Sequence, residues 1–273
     1  MGFYSQPSRR EVAGIVVLLH GWEGSAHSTY VLRTAQALFD NGFAVLRLNF
    51  RDHGGSHSLN ENIFFATLLE EVFCAVRQAA QWFAHRPAGL VGFSLGGNFA
   101  LRIARRCRRD PIENLIRVAA VSPVIDPGKS TDRVDRIGYI RRYFLYKWRR
   151  SLRRKQTMFP DRFHFEDLDS ISSVRGMTDA LLERYSRYES AAQYFAEYNL
   201  CDNALEEIDL PTLLLTAADD PIIPIEDFQH LATAPSVHLS LQRFGGHNGF
   251  IDGYAMHSWY EDRLVKLFLH DLP

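Results

Sequence analysis

A serine in a glycine-rich segment is the residue of this sequence best placed for covalent chemistry. Ser94 lies in GFSLGG, residues 92–97, directly after the apolar run Gly89–Phe93. A G-x-S-x-G segment between a strand and a helix is typical of a nucleophile elbow, a tight turn that exposes the serine hydroxyl. Glycines are needed there because a Cβ would collide with neighbouring backbone. We predict that Ser94 is a nucleophile, although the segment alone also fits a turn that only packs or binds phosphate.

A carboxylate and a histidine follow Ser94 along the chain, in the order Ser, Asp, His. Asp220 lies in ADDPIIP, residues 218–224, and His247 lies in GGHNGF, residues 245–250; each segment follows a predicted strand. A serine hydroxyl needs such partners to become a good nucleophile. We predict a triad of Ser94 as nucleophile, His247 as general base and Asp220 as the acid that orients it. Asp219 is the alternative acid; Asp220 is preferred because Pro221 restricts its backbone to extended geometry.

The segment HGWEGS, residues 20–25, follows the first predicted strand, where this arrangement places a second oxyanion donor. The first donor is expected at the start of the helix after the nucleophile. We therefore predict an oxyanion hole made by the backbone N–H groups of Trp22 and Leu95. The Trp22 indole is alternatively a wall of the acyl pocket or an anchor for a cap, and we expect His20 to brace the loop.

Two other ligand-binding interpretations are disfavoured by spacing. His53 and His57 lie close together after the second strand, but no third ligand follows at a recognised spacing, so we predict no metal site. The segment PVIDPGKS, residues 123–130, resembles the end of a phosphate-binding loop. Pro123 stands where the first glycine belongs, and Pro127 removes an amide from the loop. We expect no nucleotide binding and no cofactor.

Short apolar runs alternate with helix-period segments along most of the chain. This alternation predicts a doubly wound, mostly parallel α/β sheet. The predicted strands are Gly14–Leu19, Phe43–Leu48, Gly89–Phe93, Ile116–Val121, Thr212–Thr216 and Val237–Leu241. The predicted helices are Tyr30–Phe39, Ala66–Ala84, Leu95–Cys107 and Tyr254–His270.

One interval is too long for a simple crossover. About ninety residues separate Ser122 from Thr212, whereas a crossover between parallel strands needs about a dozen. The surplus is rich in aromatic residues that can form an apolar core. We therefore predict a core of residues 1–125 and 206–273 with a helical cap, residues 126–205, inserted between core strands.

The cap contains a strongly basic segment, Arg133–Lys155, with ten Lys or Arg residues and one acid. Apolar residues recur in it every three or four positions, which predicts one apolar helix face over the active site. We favour the interpretation that the basic side chains of this segment are solvated or paired with Glu166, Asp167 and Asp169. The alternative is a weak contact between the basic face and an anionic membrane.

The composition of the chain limits which classes of partner and which cellular compartment we expect. Lys and Arg total 31 and Asp and Glu total 32 in 273 residues, so no overall positive field attracts nucleic acid. Three widely separated cysteines indicate neither a disulfide framework nor a thiolate metal site. The first residues lack a signal-peptide pattern, and no apolar run reaches the length of a membrane span. We expect a cytoplasmic protein.

Taken together, HGWEGS, NFRDHGGS, GFSLGG, ADDPIIP and GGHNGF resemble the α/β-hydrolase superfamily, and within it the YheT-like esterases, relatives of the abhydrolase-domain lipid hydrolases. The resemblance runs from about Gly14 to the C-terminus. It implies acyl transfer from carboxylic esters to water without a cofactor. Two features depart from the family pattern. Only about thirteen residues precede the first parallel strand, so we expect Gly2–Ser5 to be the remnant of a truncated strand pair. In addition, Asn62–Phe65 stands where some members carry a histidine-containing motif.

The expected function is that of a serine carboxylesterase acting on small-molecule or lipid esters of short to medium acyl chains. Two alternatives remain at this point. An acyltransferase would use the same triad with an alcohol in place of water. A non-catalytic binding protein would keep the fold and use the cap for recognition. The sequence leaves the oligomeric state open.

Overall fold

The computed structural model of the chain describes residues 1–8, 11–252 and 257–269. Within these residues a seven-stranded sheet has the strand order β1-β3-β2-β4-β5-β6-β7. Only β1 is antiparallel to its neighbour, which confirms the predicted α/β class. The strands are β1 Gly2–Ser5, β2 Ile15–Leu19, β3 Ala44–Leu48, β4 Ala88–Phe93, β5 Leu115–Val121, β6 Thr212–Ala217 and β7 Val237–Gln242.

Helices cover both faces of the sheet, which explains why its central strands are continuous apolar runs. Ile15, Val17 and Leu19 of β2 pack on the side of α2 and α3, and Val16 and Leu18 pack on the side of α1 and α9. The period of two along an extended strand produces this division. These helices are α1 Thr29–Asp40, α2 Leu69–Gln81, α3 Leu95–Cys107 and α9 Tyr260–Leu269.

Four helices lie between β5 and β6; the first three form their own apolar cluster, whereas the fourth packs into the sheet core through Ala191, Tyr194 and Phe195. They are α4 Pro127–Arg136, α5 Gly138–Met158, α6 Val174–Tyr185 and α7 Ala191–Glu197, with a 3₁₀ turn at Glu166–Ser170. The cluster also includes Ile63 and Trp22, which follow β3 and β2, so the inserted segment packs on loops at the carboxyl edge of the sheet. A short helix, α8 Glu226–Gln229, follows β6. Across the described ranges, no helix has the length and apolar character needed to cross a bilayer.

Two helices begin later than predicted. The helix predicted from Ala66 begins at Leu69. The Ala66 carbonyl, which a helix beginning there would use as an acceptor, accepts from Arg102 instead. The last helix begins at Tyr260 because His257–Ser258 forms a strand, β9, that pairs with β8, Ile251–Asp252. The predicted bounds Tyr254 and His270 lie outside the described residues.

Candidate active site

Ser94 occupies a strained backbone conformation between β4 and α3. Its φ is 53° and its ψ is −116°, a region that non-glycine residues rarely adopt. Close packing holds it there: a Cβ on Gly92 would lie 2.0 Å from the Gly96 carbonyl oxygen, and one on Gly96 would lie 2.3 Å from the Leu19 carbonyl oxygen. The glycines thus let β4, α3 and β2 approach closely. The resulting turn presents Ser94 at the carboxyl edge of the sheet.

His247 and Asp220 are joined by a hydrogen bond. The distance from His247 Nδ1 to Asp220 Oδ2 is 2.8 Å. The other oxygen of the buried Asp220 carboxylate accepts the amides of Ile222 and Ile223, at 2.8 and 3.0 Å. Three donors therefore fix this carboxylate. Because a carboxylate only accepts, Nδ1 carries the proton of the neutral imidazole and Nε2 is left to accept one.

Asp219 has a different environment from Asp220. It is exposed, and its Oδ1 accepts the amides of Gly245 and Gly246, both at 2.8 Å. These glycines come directly before His247. One aspartate of the pair therefore contacts the imidazole, and the other holds the loop that carries it.

A cavity of about 530 Å³ brings the predicted site residues together. Ser94, Leu95, Trp22 and His247 all line it. No hydrogen bond joins the Ser94 and His247 side chains in the described ranges. Catalytic hydrogen bonds are often long in enzymes without a bound substrate. The wall is mainly aromatic and aliphatic, and it includes Ile63, Phe64, Phe65, Val134, Ile140, Phe144, Trp148, Leu152, Leu181, Leu182, Tyr194, Phe195 and Ile222.

The backbone amides of Trp22 and Leu95 were predicted to be the oxyanion donors. Neither donates to a protein acceptor in the part of the chain that the structure describes. The loop that holds Trp22 is braced by His20, whose Nδ1 lies 2.7 Å from the Gly21 carbonyl and whose Nε2 accepts from the Phe50 amide at 3.2 Å. Burial lowers the pKa of His20 well below its usual value, so the ring stays neutral. These two bonds of His20 brace the loop that carries Trp22.

The Trp22 side chain contacts the inserted helices. Its ring stacks on Phe144, with centroids 5.1 Å apart, and meets Trp148 edge-on at 4.9 Å. Both partners belong to α5. The indole therefore joins the loop after β2 to the cap, while the backbone amide of the same residue remains available in the cavity.

One residue of the basic segment is not on a solvated face, contrary to prediction. Lys155 is 1% exposed, and its ammonium donates to Asp52 Oδ1 at 2.8 Å. It also donates to the carbonyls of His57, Asn60 and Asn62, at 3.2, 2.5 and 3.0 Å. The sequence offers no local signal for this contact, because Lys155 resembles its basic neighbours. It attaches α5 to the loop that follows β3.

The two histidines of that loop also have protein partners. His53 Nδ1 lies 2.7 Å from the Arg51 carbonyl, and His57 Nε2 lies 2.9 Å from the hydroxyl of Ser151 on α5. Burial lowers the pKa of each histidine to about 4. Both rings are therefore neutral at physiological pH and serve to pack the loop against α5.

The acids proposed to pair with the basic segment do so in part. Asp169 forms ion pairs with Arg149 and Arg153. Asp167 instead binds Arg184 of α6, and Glu166 accepts from Gln156. Several arginines of α5 are left without an acidic partner among the described residues, including Arg142, Arg150 and Arg154.

Comparison with known proteins agrees with this architecture. The chain matches the family described as serine aminopeptidase, S33, over residues 10–247. It is 26% identical to YheT of Escherichia coli (strain K12) over 277 residues, which cover 97% of this chain and 79% of that protein. It is 22% identical to phospholipase ABHD3 of Mus musculus over 261 residues, which cover 93% of this chain and 62% of that protein.

Solved structures share the fold. A 2,6-dihydroxy-pseudo-oxynicotine hydrolase superposes with a TM-score of 0.64 at 16% identity, covering 98% of this chain and 64% of that one. The monoacylglycerol lipase of Paleococcus ferrophilus superposes with a TM-score of 0.58 at 16% identity, covering 98% and 97%. At this level of identity the likeness concerns the fold alone.

Lys155→Met should lower the free energy of unfolding by about 3–5 kcal/mol, because it leaves the Asp52 carboxylate buried without its cation. Urea unfolding at pH 7 measures the change. Arg154→Met, at the exposed neighbouring position, is the control and should change stability by less than about 0.5 kcal/mol. Equal stability of the two variants would show that the buried contact contributes nothing to holding the cap.

Proposed function

Because the chain belongs to the serine aminopeptidase S33 family of α/β hydrolases, with YheT-like members among its relatives, we propose that it is a serine esterase. It hydrolyses carboxylic esters of short to medium acyl chains through an acyl-enzyme. The observation that carries this proposal is the 2.8 Å contact between His247 and Asp220 on the cavity that holds the strained Ser94.

In the first step Ser94 Oγ attacks the ester carbonyl while His247 Nε2 takes the hydroxyl proton. The amides of Trp22 and Leu95 bind the oxyanion, and Asp220 stabilises the imidazolium. His247 then gives its proton to the leaving alcohol. Water attacks the acyl-enzyme with His247 again as base, and the acid is released as Ser94 recovers its proton.

The size and lining of the cavity support this substrate class. A volume of about 530 Å³ lies within the range of small-molecule sites, and the wall is dominated by apolar side chains that suit an acyl chain. The relatives include proteins named as a phospholipase and a monoacylglycerol lipase, which is consistent with esters of lipid type.

Ser94→Ala should reduce hydrolysis of p-nitrophenyl esters by several orders of magnitude, because the nucleophile is lost while the oxyanion amides remain. Rates across acyl chains of two to sixteen carbons would measure both activity and chain-length preference. A fluorophosphonate probe should label the parent chain and not the variant. If the parent were not labelled, a non-catalytic binding function would replace the esterase.

Asp220→Asn should lower kcat by about 10⁴, because the amide can no longer hold the correct imidazole tautomer. Asp219→Asn should cost far less, since this residue contacts only the amides of the histidine loop. Stopped assays on folded, purified variants, with circular dichroism as a fold check, would compare them. The opposite ranking would assign the acid role to Asp219.

We also propose that the outer face of α5 contacts an anionic membrane. This face consists of Tyr139, Arg142, Tyr143, Tyr146 and Arg150, which share one side of the helix by their spacing. The three tyrosines are 56–67% exposed, and Tyr139 and Tyr143 also line the cavity. Tyrosine suits a membrane–water interface, and arginines without acidic partners complement anionic lipid. A docked α5 would place the cavity next to its substrates.

The proposed location of this contact is the cytoplasmic side of the membrane. Cys74, Cys107 and Cys201 are all free thiols, and Cys74 is exposed, which is compatible with a reducing compartment. The cytoplasmic leaflet carries the anionic lipids that such a face would bind.

Arg142→Gln with Arg150→Gln should weaken sedimentation with phosphatidylserine vesicles at low salt about thirtyfold, since each basic residue near such a surface contributes about 1 kcal/mol. Arg108→Gln with Arg109→Gln removes the same charge at the far end of α3 and is the control. Hydrolysis of p-nitrophenyl acetate reports that the active site is intact. Equal weakening by both pairs, or no binding by the parent chain, would reject this face as a membrane contact.

A further inference from the structure

A buried carboxyl group that lines the cavity has no protein partner among the residues that the structure describes. Glu23 directly follows Trp22, is 9% exposed and lines the cavity. Its side chain forms no hydrogen bond or ion pair within the described ranges. Its backbone φ is 56°, an unusual conformation for a residue other than glycine. Because the Glu23 side chain lines the cavity without a protein partner among the described residues, its carboxyl group is available to a ligand that enters the cavity.

A cation without an acidic partner among the described residues also lines the cavity. Lys147 of α5 lines the cavity between Phe144 and Trp148, the two residues that pack on the Trp22 ring. No acidic side chain of the described residues lies within ion-pair distance of its ammonium. Lys147 is half-buried, and its ammonium lies 5.7 Å from the centre of the Tyr143 ring. Lys155, the other lysine of the cavity wall, is already bonded to Asp52.

The charge balance of this region favours an anion. Burial raises the pKa of Glu23 to about 8, so the carboxyl is mostly neutral at pH 7 and can donate a hydrogen bond. The charge of Asp52 is compensated by Lys155. What remains is the positive charge of Lys147 beside a neutral donor. A hydroxyl group would satisfy the donors but would leave the charge without a counterion.

We propose that Glu23 and Lys147 form a receptor for an anionic oxygen group, a carboxylate or a phosphate, that the substrate carries close to its scissile ester. The inference rests on the proposed esterase function and adds the charge of the substrate to it. Since Glu23 is adjacent in sequence to the oxyanion donor Trp22, the receptor lies beside the reacting carbonyl. It selects esters by charge within a cavity that is otherwise apolar.

Matched ester pairs test the receptor on the acyl side and on the alcohol side. The acyl arm compares p-nitrophenyl hemisuccinate and hemiglutarate with their methyl-capped diesters. The alcohol arm compares 1-butyrylglycerol 3-phosphate with 1-butyrylglycerol. In at least one arm the parent enzyme should show a kcat/KM about tenfold or more higher for the anionic ester, as expected for a charge-assisted hydrogen bond. The arm in which the anionic ester is preferred shows whether the receptor binds the acyl part or the alcohol part of the substrate.

Lys147→Met should abolish this preference, lowering kcat/KM for the anionic ester about tenfold more than for its neutral partner. Arg154→Met removes a positive charge from the same helix outside the cavity and should retain the preference. Glu23→Gln keeps a donor and should also retain it. Absence of a preference in both arms, or an equal loss on both esters in Lys147→Met, would overturn the receptor.

A binding measurement separates this proposal from the esterase proposal. If the parent enzyme hydrolysed none of these esters, the esterase function would fail, and binding would still test the receptor. Quenching of Trp22 and Trp148 fluorescence in Ser94→Ala reports ligands in the cavity. Monomethyl glutarate should then bind more tightly than dimethyl glutarate, and Lys147→Met should remove the difference. Equal binding of the two esters would reject the receptor.

Discussion

The close approach of three backbone segments around Ser94 is the constraint on which the site depends. Gly92 and Gly96 leave no room for a Cβ between β4, α3 and the end of β2, and Ser94 is held at a φ of 53° between them. Such strain persists only where the surrounding packing determines it. The same packing places the first amide of α3 at the carboxyl edge of the sheet. It also sets the loop after β2 beside that amide, so the positions of the proposed nucleophile and of both proposed oxyanion donors follow from one steric requirement.

Buried hydrogen bonds then fix the loops that this edge carries. Asp220 holds the imidazole of His247, while Asp219 holds the two amides that precede it. On the other side of the cavity, Lys155 bridges α5 to the carboxylate of Asp52 and to three loop carbonyls. Hydrogen bonds are directional, so these contacts fix the orientation of the loops, whereas apolar contacts would only hold the loops close together. The cavity is therefore bounded by loops of well-defined geometry.

The helix α5 has a different chemistry on each side. Its inner side supplies Phe144, Trp148 and Leu152 to the cavity wall, together with Lys147, which has no acidic partner among the described residues. Its outer side exposes tyrosines and arginines. An apolar cavity that opens beside an amphipathic surface suits a substrate with an acyl chain. A charged group on the inner wall gives such a cavity a way to discriminate among esters that apolar contacts alone would accept equally.

The sequence by itself determined the fold class, the order of the strands along the chain and the candidates for the triad. These features are local: apolar runs mark buried strands, and glycines or prolines mark the turns at strand ends where Ser94, Asp220 and His247 lie. Tertiary structure decided what depends on contacts between distant residues. The Ala66 carbonyl, which an earlier start of α2 would need, accepts from Arg102, 36 residues further along the chain. The burial of Lys155 depends on how α5 is rotated against the loop after β3. Without that rotation, the sequence does not distinguish Lys155 from the other nine basic residues of its segment. The isolation of Glu23 likewise follows from a backbone turn and a cavity that no periodicity or spacing encodes.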